Sequence, residues 1–316
     1  MSSSTDIIFF QDFFPLDTKG LEQDLETVAA EAFVELANVP IVGFRIQSKK
    51  QGGKEVRVIQ DGECQTHTGG IVWETAYLLA SYLILKAGKV GKGKKCPLGR
   101  VLEVGAGCGM LGMIISASKL AKKVIMTETT EVIPNLEKNL AQNIKPKKRS
   151  KIEDWNRCCS RDKISVRRLR WDDYSKDIDL CQADNGDDLD PHSFDTIIGT
   201  DVIFTTTLVR PLLKTLRAMS HEGTQIYLCV QVRCQDSHDM LLEKAAKYGL
   251  IVNDCTKDLE PIPELQWGIA MDCKILHFIV KDSTRASIED EKARKGSKKR
   301  KQSNEISSST KKRSKK

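Results

Sequence analysis

Hydrophobic and polar residues divide this 316-residue chain into short β-prone apolar runs and longer segments of helical periodicity. The two kinds of segment alternate from about residue 66 to residue 281, which predicts an α/β fold with a doubly wound sheet and helices on both faces. The predicted strands are residues 101–104, 124–127, 164–169, 194–200, 226–232, 250–255 and 273–281. The predicted helices are a segment from about residue 68 to 86 and residues 110–120, 131–143, 206–219 and 236–248, with an acidic loop at 172–193.

The N-terminal part of the chain has a different pattern. Two β-prone runs, residues 41–47 and 55–60, flank a glycine-containing turn, and this arrangement predicts a β-hairpin. A predicted helix over residues 21–37 and an apolar arm come before the hairpin. We therefore predict an N-terminal extension, residues 1–65, followed by one main domain, residues 66–283.

One predicted strand ends in a turn that suits a nucleotide. The apolar run 101–104 is followed by Gly105, Gly107 and Gly109, and then at once by an apolar helical segment. Glycines permit a tight turn and let a ligand approach the backbone, and the helix that follows presents free N–H groups. This turn is the first candidate for a binding site.

Two acidic residues accompany the turn. Glu103 lies in the strand before it, and Glu128 ends the next strand, where a carboxylate can accept both ribose hydroxyls of an adenosine. The sequence therefore predicts an adenosine cofactor, either a dinucleotide or a sulfonium compound. Because Gly107, Gly109 and Gly112 also match the dinucleotide fingerprint, a pattern of low specificity, both cofactors stay open at this point.

The net charge of +7 belongs to the C-terminal tail. Residues 284–316 carry thirteen Lys and Arg against four Asp and Glu, which leaves the rest of the chain at about −2. We predict that this tail is disordered, that its basic clusters 298–301 and 311–313 bind a nuclear import receptor, and that the protein occupies the cytoplasm and nucleus. A nearly neutral body disfavours nucleic acid as a partner of the folded domain.

Composition also excludes several kinds of site. The ten cysteines form no C-x-x-C pair and no two histidines stand at metal-ligand spacing, so we predict reduced cysteines and no metal site. No secretory signal pattern opens the chain, and the most apolar stretch, residues 71–85, is interrupted by polar residues and too short for a membrane span. We expect a monomer that is neither secreted nor embedded in a membrane.

A set of short motifs follows in a fixed order along the chain. They are residues 68–73, 102–109, 127–128, 169–171, 194–204 and 231–233, together with Asn139 and Asn143. Taken together, they resemble class I methyltransferases that use S-adenosylmethionine, and more narrowly Methyltransferase family 16, whose characterised members are mostly lysine methyltransferases acting on non-histone proteins. The resemblance covers about residues 55–281 and implies a seven-stranded Rossmann-like sheet and methylation of a lysine side chain in a non-histone protein.

The resemblance also implies roles for individual residues. The implied cofactor-binding residues are Trp73, Glu103, Gly105, Ala106, Gly107, Gly109, Glu128, Trp171 and Thr200. Asp201 and Phe204 are implied as catalytic residues at the mouth of the substrate pocket. The family usually has Tyr where this chain has Phe204, which keeps a ring face that can bind a cation but lacks the hydroxyl.

Other interpretations remain open at the level of sequence. A nucleic-acid or small-molecule methyltransferase would use the same fold, and an NAD-dependent oxidoreductase would use the same glycines. The Asn/Asp-Pro-Pro-Tyr motif typical of amino-group methylation in nucleic acids does not occur at residues 201–204. Single residues have structural alternatives: Trp73 as a core anchor, Trp171 as a loop-closing residue, and Asn139 and Asn143 as features of a helix end.

Overall fold

The computed structural model describes residues 7–13, 24–46, 53–61, 68–90, 96–145, 158–184 and 187–281. The predicted basic tail, residues 284–316, lies outside these described residues. What the sequence predicts about the tail therefore stays a prediction. The described residues form two sheets and the helices that cover them.

The N-terminal sheet has three strands, β1 (Ile8–Phe9), β2 (Ile41–Ile46) and β3 (Lys54–Ile59). β2 and β3 pair antiparallel, with Ile41 opposite Ile59, which confirms the predicted hairpin. β1 pairs parallel to β2, and this pairing was not predicted because two residues are too few to show a period. The arm that carries β1 is held by the guanidinium of Arg45, which lies 4.0 Å above the centre of the Phe9 ring.

The large sheet has seven strands, as the resemblance implies. They are β4 (Gly99–Val104), β5 (Ala121–Glu128), β6 (Ile164–Arg168), β7 (Thr196–Thr200), β8 (Gln225–Gln231), β9 (Leu250–Asp254) and β10 (Cys273–Val280). Their order across the sheet is β6-β5-β4-β7-β8-β10-β9. β4 to β8 run parallel, whereas β10 is antiparallel to both of its neighbours. The order reverses beside β4, so a crevice opens where the carboxyl ends of β4 and β7 meet.

Helices lie beside both sheets, and they cover the large sheet on both of its faces. They are α1 (Phe10–Phe13), α2 (Leu25–Asn38), α3 (Glu74–Val90), α4 (Met110–Ala117), α5 (Ile133–Asn143), α6 (Tyr174–Ala183), α7 (Thr206–Met219), α8 (Gln235–Ala245) and α9 (Gln266–Ala270). Side chains of α3, α4 and α5 share one hydrophobic core, and those of α6, α7 and α8 share another. The doubly wound fold class is thereby confirmed.

The N-terminal sheet packs into the first of these cores. Phe44, Val56 and Val58 belong to the same hydrophobic cluster as Tyr77 and Leu78 of α3. The ring of Phe10 stacks on that of Tyr77 with centroids 4.2 Å apart. The boundary predicted at residue 65 therefore separates two sheets whose side chains share one core.

Helix α6 occupies a stretch that the sequence indicated as an acidic loop. Most residues of α6 are charged or polar, and its short buried face includes Ile178 and Cys181. Asp177, also buried, accepts hydrogen bonds from Arg168 Nε at 2.8 Å and from the backbone N–H of Arg170 at 2.8 Å. The prediction of a loop was wrong because the segment looks wholly solvent-exposed from its charges. The arginines that allow Asp177 to be buried lie outside the segment, at the end of β6 and just after it.

Asn139 and Asn143 join α5 to the hairpin. Asn139 Oδ1 accepts from Ile59 N at 2.8 Å, and its amide donates to Ile59 O at 3.0 Å. Asn143 does the same with Arg57 N at 3.1 Å and Arg57 O at 2.6 Å. Each side-chain amide therefore pairs with β3 as a neighbouring strand would. Of the alternatives left open for these asparagines, a structural role is the one that the contacts support.

Candidate active site

A cavity of about 610 Å³ opens at the carboxyl ends of β4, β5 and β7. Ten of the eleven predicted site residues line it: Trp73, Glu103, Gly105, Ala106, Gly107, Glu128, Trp171, Thr200, Asp201 and Phe204. The fold therefore brings together residues that are up to 131 positions apart in the sequence, from Trp73 to Phe204. A volume of this size is in the range of cofactor and small-molecule sites.

The glycine turn follows β4 in a conformation that needs glycine. Gly105 and Gly107 have φ of 65° and 53°, in the left-handed region. A Cβ at Gly105 would lie 3.0 Å from Val202 and 3.3 Å from the Trp171 ring. The turn thus has no room for a side chain at Gly105, and its bare backbone lines the cavity, where a ligand can lie close to it.

Gly109 is the one predicted residue that the structure does not place on the cavity wall. It is the N-cap of α4, with φ of 84°, and a Cβ there would come within 2.5 Å of Leu136. Gly112, the last glycine of the dinucleotide pattern, has no room for a Cβ because Glu103 Oε2 would be 2.3 Å away. Packing explains both glycines without a ligand.

The two predicted acids lie on either side of the turn. Glu128 Oε1 accepts from Gly107 N at 3.1 Å, and its Oε2 accepts from Thr129 N at 2.7 Å. Burial raises the pKa of Glu128, against the effect of these N–H groups. Burial also raises the pKa of Glu103 to about 8, and the Gly112 backbone opposes that rise only in part. A bound cation would favour the ionised form of both acids.

The two tryptophans border the cavity from different elements. Trp73 precedes α3, donates from Nε1 to Thr68 O at 2.9 Å, and lies against Phe33 of α2 with ring centroids 5.9 Å apart. Trp171 follows β6 and reaches the space above Gly105. Both are only partly buried, so each keeps some ring surface accessible.

Asp201 and Phe204 form the part of the wall that follows β7. Asp201 has φ of 49°, an uncommon conformation for a residue with a side chain. Its Oδ1 accepts from Gln231 N at 2.9 Å, and its Oδ2 lies 3.4 Å from Arg233 Nη2. Burial raises the pKa of Asp201, although both of these donors oppose the shift. Phe204 has 46% of its surface exposed, so its ring is available at the entrance.

The sequence analysis assigned no role to two residues next to this wall, Glu74 and Arg233, although Arg233 belongs to the motif 231–233. Arg233 Nη2 donates to Glu74 Oε1 at 2.5 Å, and the guanidinium carbon lies 4.6 Å from the centre of the Trp73 ring. Burial, followed by the charge of Asp201, raises the pKa of Glu74 to about 7. The available signal was an acid beside Trp73 at the start of an otherwise apolar helix.

The described residues provide neither a metal site nor a hydride-transfer site at the cavity. The described residues include no group of three or more His, Cys, Asp or Glu side chains that could hold a metal ion. Tyr82 and Lys86 have the Tyr-x-x-x-Lys spacing found at some hydride-transfer sites, but neither lines the cavity. The Tyr82 hydroxyl instead donates to Asp258 at 2.7 Å. Among the described helices, none is both long and apolar enough to cross a membrane.

Comparison with known families decides which cofactor this cavity takes. The Methyltransf_16 family model, described as lysine methyltransferase, matches residues 50–247. The chain belongs to this lysine methyltransferase family. The cofactor is therefore S-adenosylmethionine, which fits a glycine turn flanked by two acids, and the alternative of an NAD-dependent oxidoreductase is set aside.

Curated relatives carry names of the same class. The mouse (Mus musculus) protein-lysine methyltransferase METTL21E is 24% identical over 270 residues, which are 85% of this chain and 92% of that protein. The zebrafish (Danio rerio) protein N-lysine methyltransferase METTL21A is 27% identical over 62% of this chain and 75% of its own length. The EEF1A lysine methyltransferase 3 of Xenopus tropicalis is 25% identical over 57% of this chain and 66% of its own length.

Solved structures show more distant similarity. A transferase from Pyrococcus horikoshii has a TM-score of 0.40 and 14% identity over 82% of this chain and 84% of its own. The P. horikoshii protein TYW2, solved in complex with MeSAdo, has a TM-score of 0.38 and 14% identity over 80% of this chain and 81% of its own.

Proposed function

We propose that this protein transfers a methyl group from S-adenosylmethionine to the ε-amino group of a lysine in another, non-histone protein. The observation that carries this proposal is the placement of Asp201 and the exposed Phe204 on the wall of the same cavity that the glycine turn lines. The names of the relatives support a protein as the methyl acceptor.

The chain's contribution is to position an amine and to lower the pKa of that amine. When bound, S-adenosylmethionine supplies a methyl group on a positively charged sulfur, and this methyl needs only an uncharged nucleophile. Free lysine has a pKa of about 10.4, so it arrives protonated. Entry into a partly dehydrated cavity lowers that pKa, and the proton passes to water at the entrance. The uncharged amine, held in the cavity, would then take the methyl group that the bound cofactor supplies, and the positive charge of the sulfur would be lost with that methyl.

Phe204 and Asp201 act on the substrate side of the cavity. The exposed ring of Phe204 presents a face on which a lysine side chain can lie, first as a cation and then as an amine. The Asp201 carboxylate is held by Gln231 N at 2.9 Å, with Arg233 Nη2 at 3.4 Å, and it orients the amino group toward the methyl. Because the chemistry needs placement more than a strong base, an aromatic ring without a hydroxyl is sufficient at position 204.

Transfer of tritium from labelled S-adenosylmethionine to proteins of a cell extract tests the proposal. The wild-type chain should label one or a few protein bands, and Asp201→Asn should label none while it still binds the cofactor in a calorimeter. Glu128→Ala, in contrast, should bind the cofactor more weakly, and its labelling should fall for that reason. Asp239→Asn, an exposed position on α8 outside the cavity, is the matched control.

The same experiment separates the substrate classes. Label that resists nuclease and is lost on protease treatment identifies a protein, and mass spectrometry then locates the modified lysine. Replacing that lysine by Arg in the purified acceptor should abolish labelling. Label in RNA, in a small molecule, or undiminished in Asp201→Asn would contradict the proposal.

We further infer that the basic clusters after residue 284 bind an import receptor, and that the protein is a monomer found in cytoplasm and nucleus. The support is the concentration of charge in the tail, thirteen basic against four acidic residues. Fluorescent full-length chains with Lys298-Lys299-Arg300-Lys301 and Lys311-Lys312-Arg313 changed to Gln should be excluded from the nucleus. Light scattering on the purified chain gives the number of subunits.

A further inference from the structure

A group of three charged side chains lies beside the cavity and is drawn from three elements. Glu74 comes from the start of α3, Asp201 follows β7, and Arg233 follows β8. Asp201 lines the cavity, whereas Glu74 and Arg233 do not. The side chain of Glu74 is 0% exposed, that of Asp201 9% and that of Arg233 35%. One guanidinium therefore serves two buried carboxylates, and only one of these faces the substrate.

The guanidinium is not shared equally between them. The same nitrogen, Arg233 Nη2, lies 2.5 Å from Glu74 Oε1 and 3.4 Å from Asp201 Oδ2. The first distance is a short charge-assisted hydrogen bond, and the second is at the limit of one. Stacking of the guanidinium over Trp73 limits how far it can move.

We propose that Glu74 and Arg233 are positioning residues of the methyl transfer, with Glu74 deciding how strongly Arg233 engages the Asp201 carboxylate. This inference rests on the proposed function. When Glu74 is ionised, it holds the guanidinium, and the charge of Asp201 is left to act on the amino group of the substrate. When Glu74 carries a proton, Asp201 is the remaining anionic partner of Arg233 in this group, and its charge is compensated.

The surroundings of Glu74 place this change near neutral pH. Facing it are the carboxylate of Asp201 and the guanidinium of Arg233, together with the thiols of Cys229 on β8 and Cys273 on β10. Burial raises the pKa of both thiols well above the ordinary value, so they stay protonated and uncharged. Burial and Asp201 raise the pKa of Glu74 to about 7, and Arg233 opposes them. The active, ionised form of Glu74 is thus lost as the pH falls through that value.

The steady-state rate as a function of pH tests this assignment, with the purified protein acceptor as substrate. In the wild type, kcat should fall below the pKa of Glu74 until it reaches the level of Glu74→Gln, and this acid limb comes in addition to the fall caused by protonation of the substrate amine. Glu74→Gln imitates the protonated acid. It should lack this limb and show a kcat at pH 8 that is lower by about tenfold or more, the loss typical of one charge-assisted hydrogen bond. A second limb, from the substrate amine at higher pH, should remain in both proteins.

Three further measurements separate positioning from a structural role. KM for the protein acceptor and Kd for S-adenosylmethionine should change little in Glu74→Gln, because the side chain does not line the cavity. Glu74→Asp should restore the limb, shifted along the pH axis. The control is Glu55→Gln, which breaks a comparable pair, Arg57 Nη2 to Glu55 Oε2 at 2.7 Å, on the hairpin away from the cavity. It should leave the pH profile unchanged.

Each possible outcome either supports or overturns the role proposed for Glu74. Loss of the limb in Glu74→Gln with its return in Glu74→Asp supports the inference. An active Glu74→Gln with the wild-type limb overturns it, and so does a fall in kcat matched by an equal loss of cofactor affinity or of thermal stability. If Glu74→Gln does not fold, Glu74→Asp decides by itself, because an unshifted limb there overturns the inference. A wild-type chain that methylates no protein would overturn the proposed function as well.

Discussion

Asn139 links the hairpin to the cofactor turn, and its replacement by Ala should weaken both stability and cofactor binding. Its side chain is fully buried on α5. Besides the two hydrogen bonds to Ile59, its amide donates to Cys108 O at 3.2 Å, inside the glycine turn between Gly107 and Gly109. One amide group therefore connects β3, α5 and the turn.

The expected size of the effect follows from these contacts. Asn139→Ala removes three hydrogen bonds, each with a net contribution of about 1 kcal/mol, so the free energy of unfolding should fall by about 3 kcal/mol. For a domain of this size, this corresponds to a fall in Tm of about 6–12 °C. The lost bond to Cys108 O should weaken cofactor binding by about fivefold, since it corresponds to about 1 kcal/mol.

Asn143→Ala provides the matched control. Asn143 also makes three side-chain hydrogen bonds, two to Arg57 and one to Asn139 O at 2.8 Å, but it makes none to the turn. Both variants should lose similar thermal stability, followed by circular dichroism. Only Asn139→Ala should raise the Kd for S-adenosylmethionine in calorimetry at 20 °C, where both are folded.

Two results would refute this reasoning. If both variants weaken cofactor binding equally, the effect comes from the loosened hairpin and not from the contact with Cys108. If Asn139→Ala unfolds at the wild-type temperature, the side-chain pairing with β3 does not stabilise the fold, and the strand-like role assigned to these amides is wrong.

Three other changes address the cavity. Phe204→Ala should lower kcat/KM for the protein acceptor by roughly 2- to 30-fold, the range of a cation–π contact, whereas Phe204→Tyr should leave kcat/KM unchanged. Equal values of kcat/KM for the wild type and both variants would exclude a contact between the ring and the lysine. Glu128→Ala should raise the cofactor Kd by roughly 10- to 150-fold through lost charge-assisted hydrogen bonds, with Glu128→Gln intermediate, and an unchanged Kd in calorimetry would contradict its assignment. The pKa of Glu103 is raised to about 8 in the folded state, whereas the unfolded chain releases this proton near pH 4.5. The contribution of the protonated Glu103 to the free energy of unfolding is therefore complete below pH 4.5 and is lost as the pH rises to about 8. Urea denaturation of Glu103→Gln should show a weaker loss between pH 5 and 8, and an identical slope to wild type would count against the raised pKa.

Local sequence patterns predicted most of the elements. The helix predicted at about residues 206–219 is α7, Thr206–Met219, whose apolar residues recur at helical spacing. The structure adds its cap, because Thr205 accepts from Thr207 N at 3.1 Å. The seven strands of the large sheet were predicted to within a few residues, because buried strands form short continuous apolar runs between turns. Short elements such as β1 and α9 were missed, since a few residues carry no period.

Ten of the residues that line the cavity were also predicted, some from local patterns and some through the family resemblance. Gly105 and Gly107 are recognisable because a positive φ between a strand and a helix favours glycine. Glu128 is recognisable because it ends the strand that follows the turn. Trp73, Asp201 and Phe204 were predicted through resemblance to a family, since no spacing rule connects residues so far apart.

By itself, the sequence determined the order of strands and helices, the glycine turn and the adenosine site, because each depends on residues within a few positions of one another. Only the tertiary structure decided which distant side chains meet. Arg233 and Glu74 are 159 positions apart, and Asn139 and Ile59 are 80 apart. Their contacts depend on the register of the sheet and on the packing of α3 and α5 against it, so the charge around Asp201 and the attachment of the hairpin follow from the fold.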